Sequence, residues 1–378
     1  MESAGVSDSE RKSTPRSKGG TSEKVAKRLG LRLTSPNDLT IRRPINGRGF
    51  SYSYGDGRTV RNRTLIGRLN RLAIPPAYAD ALYCPDGNGH LQAIWQDAAG
   101  RTQYRYHPDW DEVRAQRRLR RLARLTQALP RIRRAITRCL ASREPDRRMA
   151  LAAVVELVTV SGIRAGRESY LQSNGTRGAT TLLKTNVEIK GDKIALSFRA
   201  KGGKAMRKDV RARRLAGALT KLRGVSGRRL FQYQNENGET KAVSASEVNE
   251  FLRDLAGVAI SLKDFRTLVA SAAAIDALAH TEPAESVARR KRQVQAAMST
   301  VAKRLGNTPA ICRKSYVPET LVAAFESRRL QRKAGQRRIS SEKLLAALIA
   351  KAPAIRRAQP DLRKQLERSA RRVSAPVG

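Results

Sequence analysis

Apolar and polar residues alternate over much of the region between residues 49 and 107. The runs GFSYSYGDGRTV (49–60) and LYCPDGNGHLQAIWQDAAGRTQYRYH (82–107) alternate aromatic and aliphatic side chains with polar ones, between the turn signals GDG, PDGNG and AAG. Alternation interrupted by Gly and Asp is typical of short antiparallel strands. The pattern therefore predicts a small, mainly β domain over residues 39–108.

A helical period begins at Trp110. The stretch DEVRAQRRLRRLARLTQALPRIRRAITRCL (111–140) has arginines around most of its circumference and apolar side chains on one side, at Val113, Leu119, Leu122, Leu125 and Leu129. This spacing predicts a helix that packs on one face and is electropositive on the other. The next apolar stretch, MALAAVVELVTVSGIR (149–164), predicts a second and more buried helix.

The helical region is interrupted by TNVEIKGDKIALSFRAKGGKAMRKDV (185–210). Its Lys-Gly-Asp and Gly-Gly turns separate three segments with strand character, which predicts a three-stranded sheet. Helical segments are expected again at 244–257, 263–279 and 283–305. The predicted fold class is α+β, with a larger, mainly helical domain over residues 109–326 that carries this sheet.

The two ends of the chain have little apolar sequence. Residues 1–38 are rich in Ser, Gly, Lys and Arg, which predicts a disordered basic arm. Residues 327–378 hold 15 Lys and Arg against three acidic residues, although SSEKLLAALIAKAPAIRRA has enough apolar periodicity for one helix. We therefore expect a basic, partly helical tail without a core of its own.

Charge narrows the possible partners. The chain has 378 residues, of which 76 are Lys or Arg and 33 are Asp or Glu, so its formal net charge is +43. This excess is far beyond what solubility requires and indicates a polyanionic partner. With 40% apolar residues the chain can also fill the cores of two domains. A folded protein that binds nucleic acid is the expected class.

Cysteine and histidine do not indicate a disulfide framework or a metal site. Cys84, Cys139 and Cys312 are odd in number and far apart, which fits a reducing compartment. The three histidines, at positions 90, 107 and 280, do not pair with a second His or a Cys at a metal-binding spacing, so we expect structural or surface roles for them. The N-terminus lacks a secretory signal, and the chain has no apolar run near 18 residues, so no membrane partner is expected.

Four segments contain residues suited to chemistry on a phosphodiester: SGIRAGRESY (161–170), RAKGGK (199–204), LKDFRTL (262–268) and LGNTPAICRKSY (305–316). Breaking this bond requires a nucleophile, donors for the non-bridging oxygens and a proton for the departing oxygen. Tyrosine can supply the first, the planar fork of arginine suits the second, and lysine suits the third. Taken singly, each segment is weak, because most Arg and Lys residues of so basic a protein lie on its surface.

The order of these residues resembles the catalytic set of type IB DNA topoisomerases, in the compact form found in poxviruses and bacteria. The resemblance extends over residues 45–326. LGNTPAICRKSYV is similar to the nucleophile segment of the bacterial enzymes, and the motifs IPPAYAD, GNGHLQA, QYRYHPDW, FRAKGGK and KDFRT occur in the expected order around it. The implied enzyme is an isomerase that relaxes supercoiled double-stranded DNA by single-strand cleavage, rotation and religation.

The resemblance also implies a role for each residue of the set. Tyr316 would attack the scissile phosphate to form a 3′-phosphotyrosyl link, with a ring of cations favouring its phenolate. Arg164 and Arg266 would hold the non-bridging oxygens, and Lys201 would protonate the leaving 5′-oxygen. Lys263 would help in that proton transfer. Asn307 completes the expected catalytic set, with an amide where the poxvirus enzymes carry histidine.

Contacts to DNA are implied at further positions. Gln103 is a candidate base-edge contact, and Tyr104 and Tyr106 are candidate groove or phosphate contacts. The alternative is that one of the two rings faces the domain core, and it has equal weight for either ring. Additional phosphate neighbours are expected at Tyr170, Lys204, Arg313 and Lys314.

The resemblance further implies a monomer that closes its two domains as a clamp around DNA and needs no cofactor. The sequence has no GxxxxGK[ST] loop for a nucleotide and no acidic cluster suited to Mg²⁺, so neither ATP nor an obligatory metal is expected. The expected location is the bacterial cytoplasm, in association with the nucleoid.

Some positions depart from the family pattern, and two alternatives stay open. Thr102 and Gln96 stand where Lys and Arg are common, and Ala165-Gly166-Arg167 replaces Val-Gly-Asn, which puts DNA affinity or site preference in doubt. A tyrosine recombinase or integrase has the same catalytic set of Arg, Lys, Arg and Tyr, but usually carries a His-x-x-Arg box where this chain has KDFR. A basic DNA-compacting protein would explain the charge but not the ordered residues.

Overall fold

The computed structural model describes residues 22–46, 49–78, 80–335 and 339–350. These residues divide into two units, with the boundary between Arg117 and Arg118. The N-terminal unit comprises the described residues 22–117, and the C-terminal unit comprises the described residues 118–350. Antiparallel sheets in the first unit and mostly helices in the second confirm the predicted α+β class.

The N-terminal unit is built around antiparallel strands, as the alternating pattern predicted. Its elements are α1 (Ser22–Arg28), β1 (Ile41–Arg42), β2 (Ile45–Asn46), β3 (Gly49–Phe50), α2 (Arg63–Arg71), β4 (Leu82–Tyr83), β5 (Leu91–Gln96), β6 (Thr102–Tyr106) and the start of α3 (Trp110–Leu140). The main sheet has the order β1-β4-β5-β6, and β2 pairs with β3. Ile41, Tyr83 and Ala93 are fully buried between this sheet and α2.

Residues 22–38 differ from the disordered arm that the sequence predicted for residues 1–38. Val25 and Ala26 of α1 are buried against Val113 of α3, and Arg32 forms a backbone bridge with Gly89. This short helix has few apolar residues, but α3 covers them. Composition alone did not indicate this contact. Residues 1–21 lie outside the described residues.

The C-terminal unit continues α3 and adds helices around one small sheet. Its further elements are α4 (Arg147–Ser161), α5 (Glu168–Asn174), β7 (Val187–Lys190), β8 (Lys193–Arg199), β9 (Ala205–Arg211), α6 (Arg213–Gly224), β10 (Gln232–Gln234), β11 (Thr240–Ala242), α7 (Ala245–Ala256), α8 (Leu262–Leu278), α9 (Val287–Leu305), α10 (Pro309–Ser315), α11 (Glu319–Glu326), α12 (Arg329–Gly335) and α13 (Ser341–Ile349). The helices predicted over 111–140, 149–164, 244–257, 263–279 and 283–305 are therefore present, as α3, α4, α7, α8 and α9 with the bounds given above.

Helix α4 lies at the centre of this unit. Most of its side chains are buried, and it contacts α6, α7 and α8, which is the environment expected for a helix that is apolar around its whole circumference. The Asp146 side chain accepts a hydrogen bond from the Met149 amide at 2.6 Å and begins the helix. Gly162 ends it with φ 68°, a left-handed conformation that favours glycine. The chain then turns directly into Ile163 and Arg164.

The predicted three-stranded sheet has the order β7-β8-β9 and is antiparallel. One face, with Val187, Ile194 and Leu196, is buried in the core of the unit. The turn between β8 and β9 carries two left-handed glycines, Gly202 at φ 79° and Gly203 at φ 74°. This turn presents residues 201–204 beyond the edge of the core.

Helices α12 and α13 belong to the same core as the rest of the C-terminal unit. Leu330, Leu344, Leu345 and Leu348 are buried in it, and α13 contacts α8 and α11. The unit therefore continues through Ile349, past the boundary that we predicted at residue 326. The remaining predicted tail, residues 351–378, lies outside the described part of the chain. The domain boundary expected between residues 108 and 109 stays a prediction.

Within the described ranges, every helix is either too short or too polar to cross a bilayer.

The buried face of α13 generates a stability prediction. Leu345 is 0% exposed, so Leu345→Ala should lower the free energy of unfolding by about 2–5 kcal/mol through lost burial and the cavity left behind. The control Val287→Ala removes a side chain that is 58% exposed and should change it by about 0.5 kcal/mol or less. Denaturant unfolding of the full chain measures both. Equal stability of the two variants would place α13 outside the core.

Candidate active site

A cavity of about 300 Å³ in the C-terminal unit is lined by residues from four separated parts of the sequence. Its lining comprises Arg164, Ala165, Gly166, Arg167, Tyr170, Thr176, Arg177, Lys201, Leu262, Lys263, Arg266 and Tyr316. The cavity brings together six residues that the sequence singled out, namely Arg164, Tyr170, Lys201, Lys263, Arg266 and Tyr316. A larger cavity on the sheet, lined by Glu188 and Lys193 among others, contains none of them.

Tyr316 is held at the end of α10. Thr308 begins this helix by accepting a hydrogen bond from the Ile311 amide, and Pro309 occupies its first turn. The Tyr316 amide donates to the Cys312 carbonyl at 3.0 Å, and its own carbonyl accepts from the Ser271 hydroxyl at 3.2 Å. Both ends of the tyrosine peptide are thereby fixed, and the half-buried ring faces the cavity.

Arg266 contacts the tyrosine ring from α8. Its guanidinium carbon lies 5.2 Å from the centroid of the Tyr316 ring, a cation–π distance. Its side chain is 4% exposed and donates from Nη2 to the Leu305 carbonyl at 3.1 Å. Burial lowers the pKa of Arg266 to about 10; nearby Arg164 also lowers it, and Tyr316 opposes the shift. The guanidinium nevertheless stays charged at neutral pH.

Arg164 and Asn307 form a pair beside this arginine. Arg164 Nη2 donates to Asn307 Oδ1 at 2.5 Å, which leaves the amide nitrogen of Asn307 as a donor. Asn307 Nδ2 and Arg266 Nε are both buried and have no hydrogen-bond partner among the described residues. Buried donors are nearly always satisfied in folded proteins. Two unsatisfied donors among cations indicate a site that favours an anion.

The start of α8 positions two of the lining residues. Asp264 accepts hydrogen bonds from the Ser261 amide and hydroxyl, at 2.8 and 2.9 Å, and closes a capping box. Arg121 of α3 donates to both oxygens of the same carboxylate, at 2.6–3.1 Å. This half-buried bidentate pair fixes the helix start, so that Lys263 and Arg266 both face the cavity.

The segment after α5 supports the loop that carries Arg164. The amides of Ala179 and Thr180 donate to the carbonyls of Arg164 and Ala165 at 2.8 and 2.7 Å. Gly178 lies so close that a Cβ atom there would meet the Arg164 carbonyl oxygen at 2.6 Å and the Gly166 nitrogen at 2.5 Å. Only glycine allows this approach of two backbone segments.

Two lining residues from this segment were not predicted from the sequence. Thr176 and Arg177 face the cavity, and Arg177 also donates from Nη1 to the Thr181 carbonyl at 2.8 Å. Burial lowers the pKa of Arg177, and the charge of Arg229 acts in the same direction. The only local signal was the Gly-Thr-Arg-Gly run at 175–178, which indicates a turn and not a site.

The remaining candidates of the C-terminal unit are more dispersed. Tyr170 lines the cavity, whereas Lys204, Arg313 and Lys314 do not. Lys204 is exposed in the turn after β8. Arg313 forms an ion pair with Glu319, and the Lys314 carbonyl accepts a hydrogen bond from Arg118 at 3.1 Å.

The candidates of the N-terminal unit lie on β6. Gln103 donates from its side chain to Asp97 at 2.9 Å. The rings of Tyr104 and Tyr106 stack with centroids 6.1 Å apart, and Arg114 lies 4.1 Å from the centroid of Tyr106. Tyr104 is 50% exposed, while Tyr106 packs partly against a buried cluster. The alternative of a core-facing ring therefore applies in part to Tyr106.

The arrangement around the cavity is suited to a phosphate group. Arginine forks can bond its oxygens, and Tyr316, Lys201 and Lys263 line the same cavity. Asn307 is hydrogen-bonded to Arg164 but does not line the cavity itself. Within the described ranges, no three His, Cys, Asp or Glu side chains are grouped so as to hold a metal ion.

Comparison with known proteins gives matches for both units. Residues 109–343 match the family described as eukaryotic DNA topoisomerase I, catalytic core, and residues 49–97 match the bacterial DNA topoisomerase IB, N-terminal domain. DNA topoisomerase 1B of Acanthamoeba polyphaga mimivirus is 29% identical over 294 residues, which cover 76% of this chain and 88% of the relative. DNA topoisomerase 1B of Vaccinia virus (strain Western Reserve) is 25% identical over 231 residues, 61% of this chain and 70% of the relative.

Among solved structures, the XerH site-specific recombinase bound to a palindromic difH substrate is similar with a TM-score of 0.34 and 14% identity. This match covers 55% of the chain and 51% of the recombinase chain.

The close approach at Gly178 leads to a prediction about stability. Gly178→Ala would force the backbone of residues 164–166 to move and should destabilise the fold by about 1–3 kcal/mol through overpacking. Gly217→Ala is the matched control, since its Cβ would meet nothing within 4 Å on the exposed side of α6. That change should stabilise the protein by about 0.5–1 kcal/mol. Thermal unfolding measures the pair, and a neutral Gly178→Ala would contradict the tight packing.

Proposed function

This chain is a member of the type IB DNA topoisomerase family, isomerases that relax supercoiled DNA, and we propose that it acts through a covalent intermediate at Tyr316. One observation carries the proposal: a single cavity is lined by Tyr316 together with Arg164, Lys201 and Arg266, although these residues come from distant parts of the sequence.

In the proposed cleavage step, Tyr316 Oη attacks the phosphorus of a scissile phosphodiester. The bond between phosphorus and the 5′-oxygen breaks as the bond to Oη forms, which leaves a 3′-phosphotyrosyl link and a free 5′-hydroxyl. The phenolic proton is lost to solvent and is recovered when the strand is rejoined. Since a free tyrosine with a pKa near 10 is a poor nucleophile at neutral pH, the surrounding cations have to favour the phenolate.

Charge that develops on the non-bridging oxygens would be stabilised by Arg164, Arg266 and Asn307. All three are held before DNA binds, by the bond from Arg164 to Asn307 and by the bond from Arg266 to the Leu305 carbonyl. The unsatisfied Asn307 Nδ2 and Arg266 Nε support an anion at this place. Donors fixed in advance need no reorganisation during the reaction, which makes them effective catalysts.

Lys201 is proposed as the general acid. It lines the cavity from the turn between β8 and β9, a different chain segment from the one that carries Tyr316. Its ammonium would give a proton to the leaving 5′-oxygen. Lys263 lines the same cavity from the start of α8 and would assist this transfer.

Religation would reverse these steps. The 5′-hydroxyl attacks the phosphotyrosine, the phenol leaves, and the energy of the original bond is recovered, so we propose that neither a nucleotide nor an obligatory metal is needed. Rotation of the free end before religation would relax supercoils of either sign.

We further propose that a single molecule contacts duplex DNA with both of its units and associates with the nucleoid. The +43 charge supports a large and salt-sensitive set of phosphate contacts. Exposed Tyr104 and Tyr170 support contacts from β6 and from beside the cavity. The family match favours this function over the recombinase and the DNA-compacting alternatives.

The nucleophile is tested by Tyr316→Phe. The variant should lose relaxation of supercoiled plasmid by at least about 10³-fold, because no hydroxyl remains to form the ester, and should still retain plasmid in a mobility-shift assay. The wild-type protein should relax the plasmid in EDTA without ATP and yield a covalent DNA adduct on residue 316. A Phe variant that relaxes normally, or an adduct on another tyrosine, would refute the assignment.

The role of Asn307 is tested by comparing Asn307→Asp with Asn307→Ala. A carboxylate can still accept the bond from Arg164 but cannot donate to a phosphate and repels it, so Asn307→Asp should cleave at least as slowly as Asn307→Ala. The expected loss is about 10²- to 10³-fold in single-turnover cleavage rate. Near-normal cleavage by Asn307→Asp would show that Asn307 only holds Arg164.

A further inference from the structure

Residues of α8 and β9 contact the C-terminal end of α9, and Asn307 directly follows it. The carbonyls of this helix end accept hydrogen bonds from two cations: Arg266 donates to Leu305, and Lys208 Nζ donates to Lys303 at 3.2 Å and to Arg304 at 2.5 Å. Asn307, which accepts from Arg164, follows two residues later. The last four carbonyls of a helix lack partners within the helix and carry its negative dipole end, so cations are stabilised there.

Lys208 occupies an unusual place for a lysine. On β9 it lies opposite Leu196, and its neighbour on the same face, Met206, lies opposite Phe198. Both partners on β8 are buried, so this row of β9 lies on the core side of the sheet, and Lys208 itself is half-buried. Burial lowers the pKa of Lys208, and the charges of Arg304 and Arg266 add to the effect. A solvent-facing lysine would avoid this cost, and the two carbonyl oxygens give a physical reason for its position.

Met206 contacts the same turn through packing. A Cβ atom on Gly306 would meet the Met206 methyl carbon at 2.4 Å, so the thioether lies directly on the glycine that ends α9 at φ 62°. Two successive core-facing side chains of β9 thus join the β8–β9 hairpin to the α9 terminus, one through polar bonds and one through packing.

We propose that Lys208 is a positioning residue that anchors the β8–β9 hairpin to the end of α9, so that Lys201 is held at the leaving oxygen. The inference rests on the proposed function, since it assigns Lys208 to the proton-transfer half of that reaction. This role requires no contact of Lys208 with DNA or with Tyr316. Lys208 acts through the hairpin, and its removal should affect the step that needs Lys201 more than the attack of the nucleophile.

The physical reason lies in charge repulsion. The hairpin brings Lys201 to a cavity that is also lined by Arg164, Lys263 and Arg266, and like charges around one cavity repel one another. Neutral carbonyl oxygens at the helix terminus can oppose this repulsion through Lys208 without removing positive charge from the cavity. Loss of the anchor should let Lys201 move away, and a displacement of about 1 Å typically costs about 10²-fold in rate.

Leaving-group substitution distinguishes this role from a general structural one. A suicide duplex with sulfur in place of the bridging 5′-oxygen releases a thiol, whose pKa near 8.5 removes the need for a proton donor. Lys208→Met should cleave the oxygen substrate about 10- to 100-fold more slowly than the wild type. On the sulfur substrate it should cleave within about threefold of the wild-type rate, since no misplaced acid then limits the step.

Three further variants complete the design. Lys208→Arg keeps a donor for the two carbonyls and should restore most of the rate on the oxygen substrate. Met206→Ala weakens the second contact of the hairpin and should show the same oxygen-specific defect, which keeps the test open if Lys208→Met does not fold in circular dichroism. Lys193→Met is the matched control, because this exposed lysine lies on the same sheet away from the cavity. It should cleave both substrates like the wild type.

The outcomes separate the inference from the proposed function. If Lys208→Met cleaves both substrates equally slowly, or neither of them slowly, the positioning role is wrong. If sulfur restores cleavage by Lys201→Ala at the same time, the assignment of Lys201 as the general acid is still supported. If Lys201→Ala is not rescued by sulfur, the assignment of the acid fails and the positioning role with it. Cleavage by Tyr316→Phe would contradict the proposed function at its nucleophile, independently of both lysines.

Discussion

Backbone carbonyl oxygens at the end of α9 accept hydrogen bonds from cations of α8 and β9, and the geometry around Tyr316 depends on these bonds. Arg266 and Lys208 reach this terminus from different elements, and Asn307 just beyond it holds Arg164. Without such acceptors, side chains of one charge would move apart. The carbonyl oxygens of this helix terminus therefore hold the cations of the site in place, as a carboxylate does in an ordinary ion-pair network.

Neutral acceptors have a consequence for binding. The described lining of the cavity contains no Asp or Glu, so the positive charge of its arginines and lysines is available to an incoming phosphate. Asp264 lies close by in sequence, but its carboxylate is directed to Arg121 and to the cap of α8. One acidic group thus stabilises the helix that carries Arg266 without competing for the site. The lowered pKa of Arg266 is the cost of holding a buried cation ready for an anion.

Much of the fold could be predicted because its signals are local. Alternation predicted the strands of the N-terminal unit, the Gly-Gly turn predicted the β8–β9 hairpin, and apolar periodicity predicted α4 and α8. The residues now found around the cavity were singled out by their order along the chain and by their resemblance to a known set. Residues 22–38 and α13 were not recognised as parts of packed units, because the apolar surface that covers each of them lies far away in sequence.

The sequence by itself determined the chemistry available to this protein: its charge, its tyrosine, its arginines and lysines, and the local elements that carry them. Tertiary structure decided which of these groups meet. Thr176 and Arg177 line the cavity because Gly178 lets two backbone segments touch, and Lys208 reaches α9 because its strand pairs in one register. Lys204 and Arg313 carry the same charges but lie outside the cavity. Such differences depend on contacts between residues that are far apart in the chain, and no local pattern encodes them.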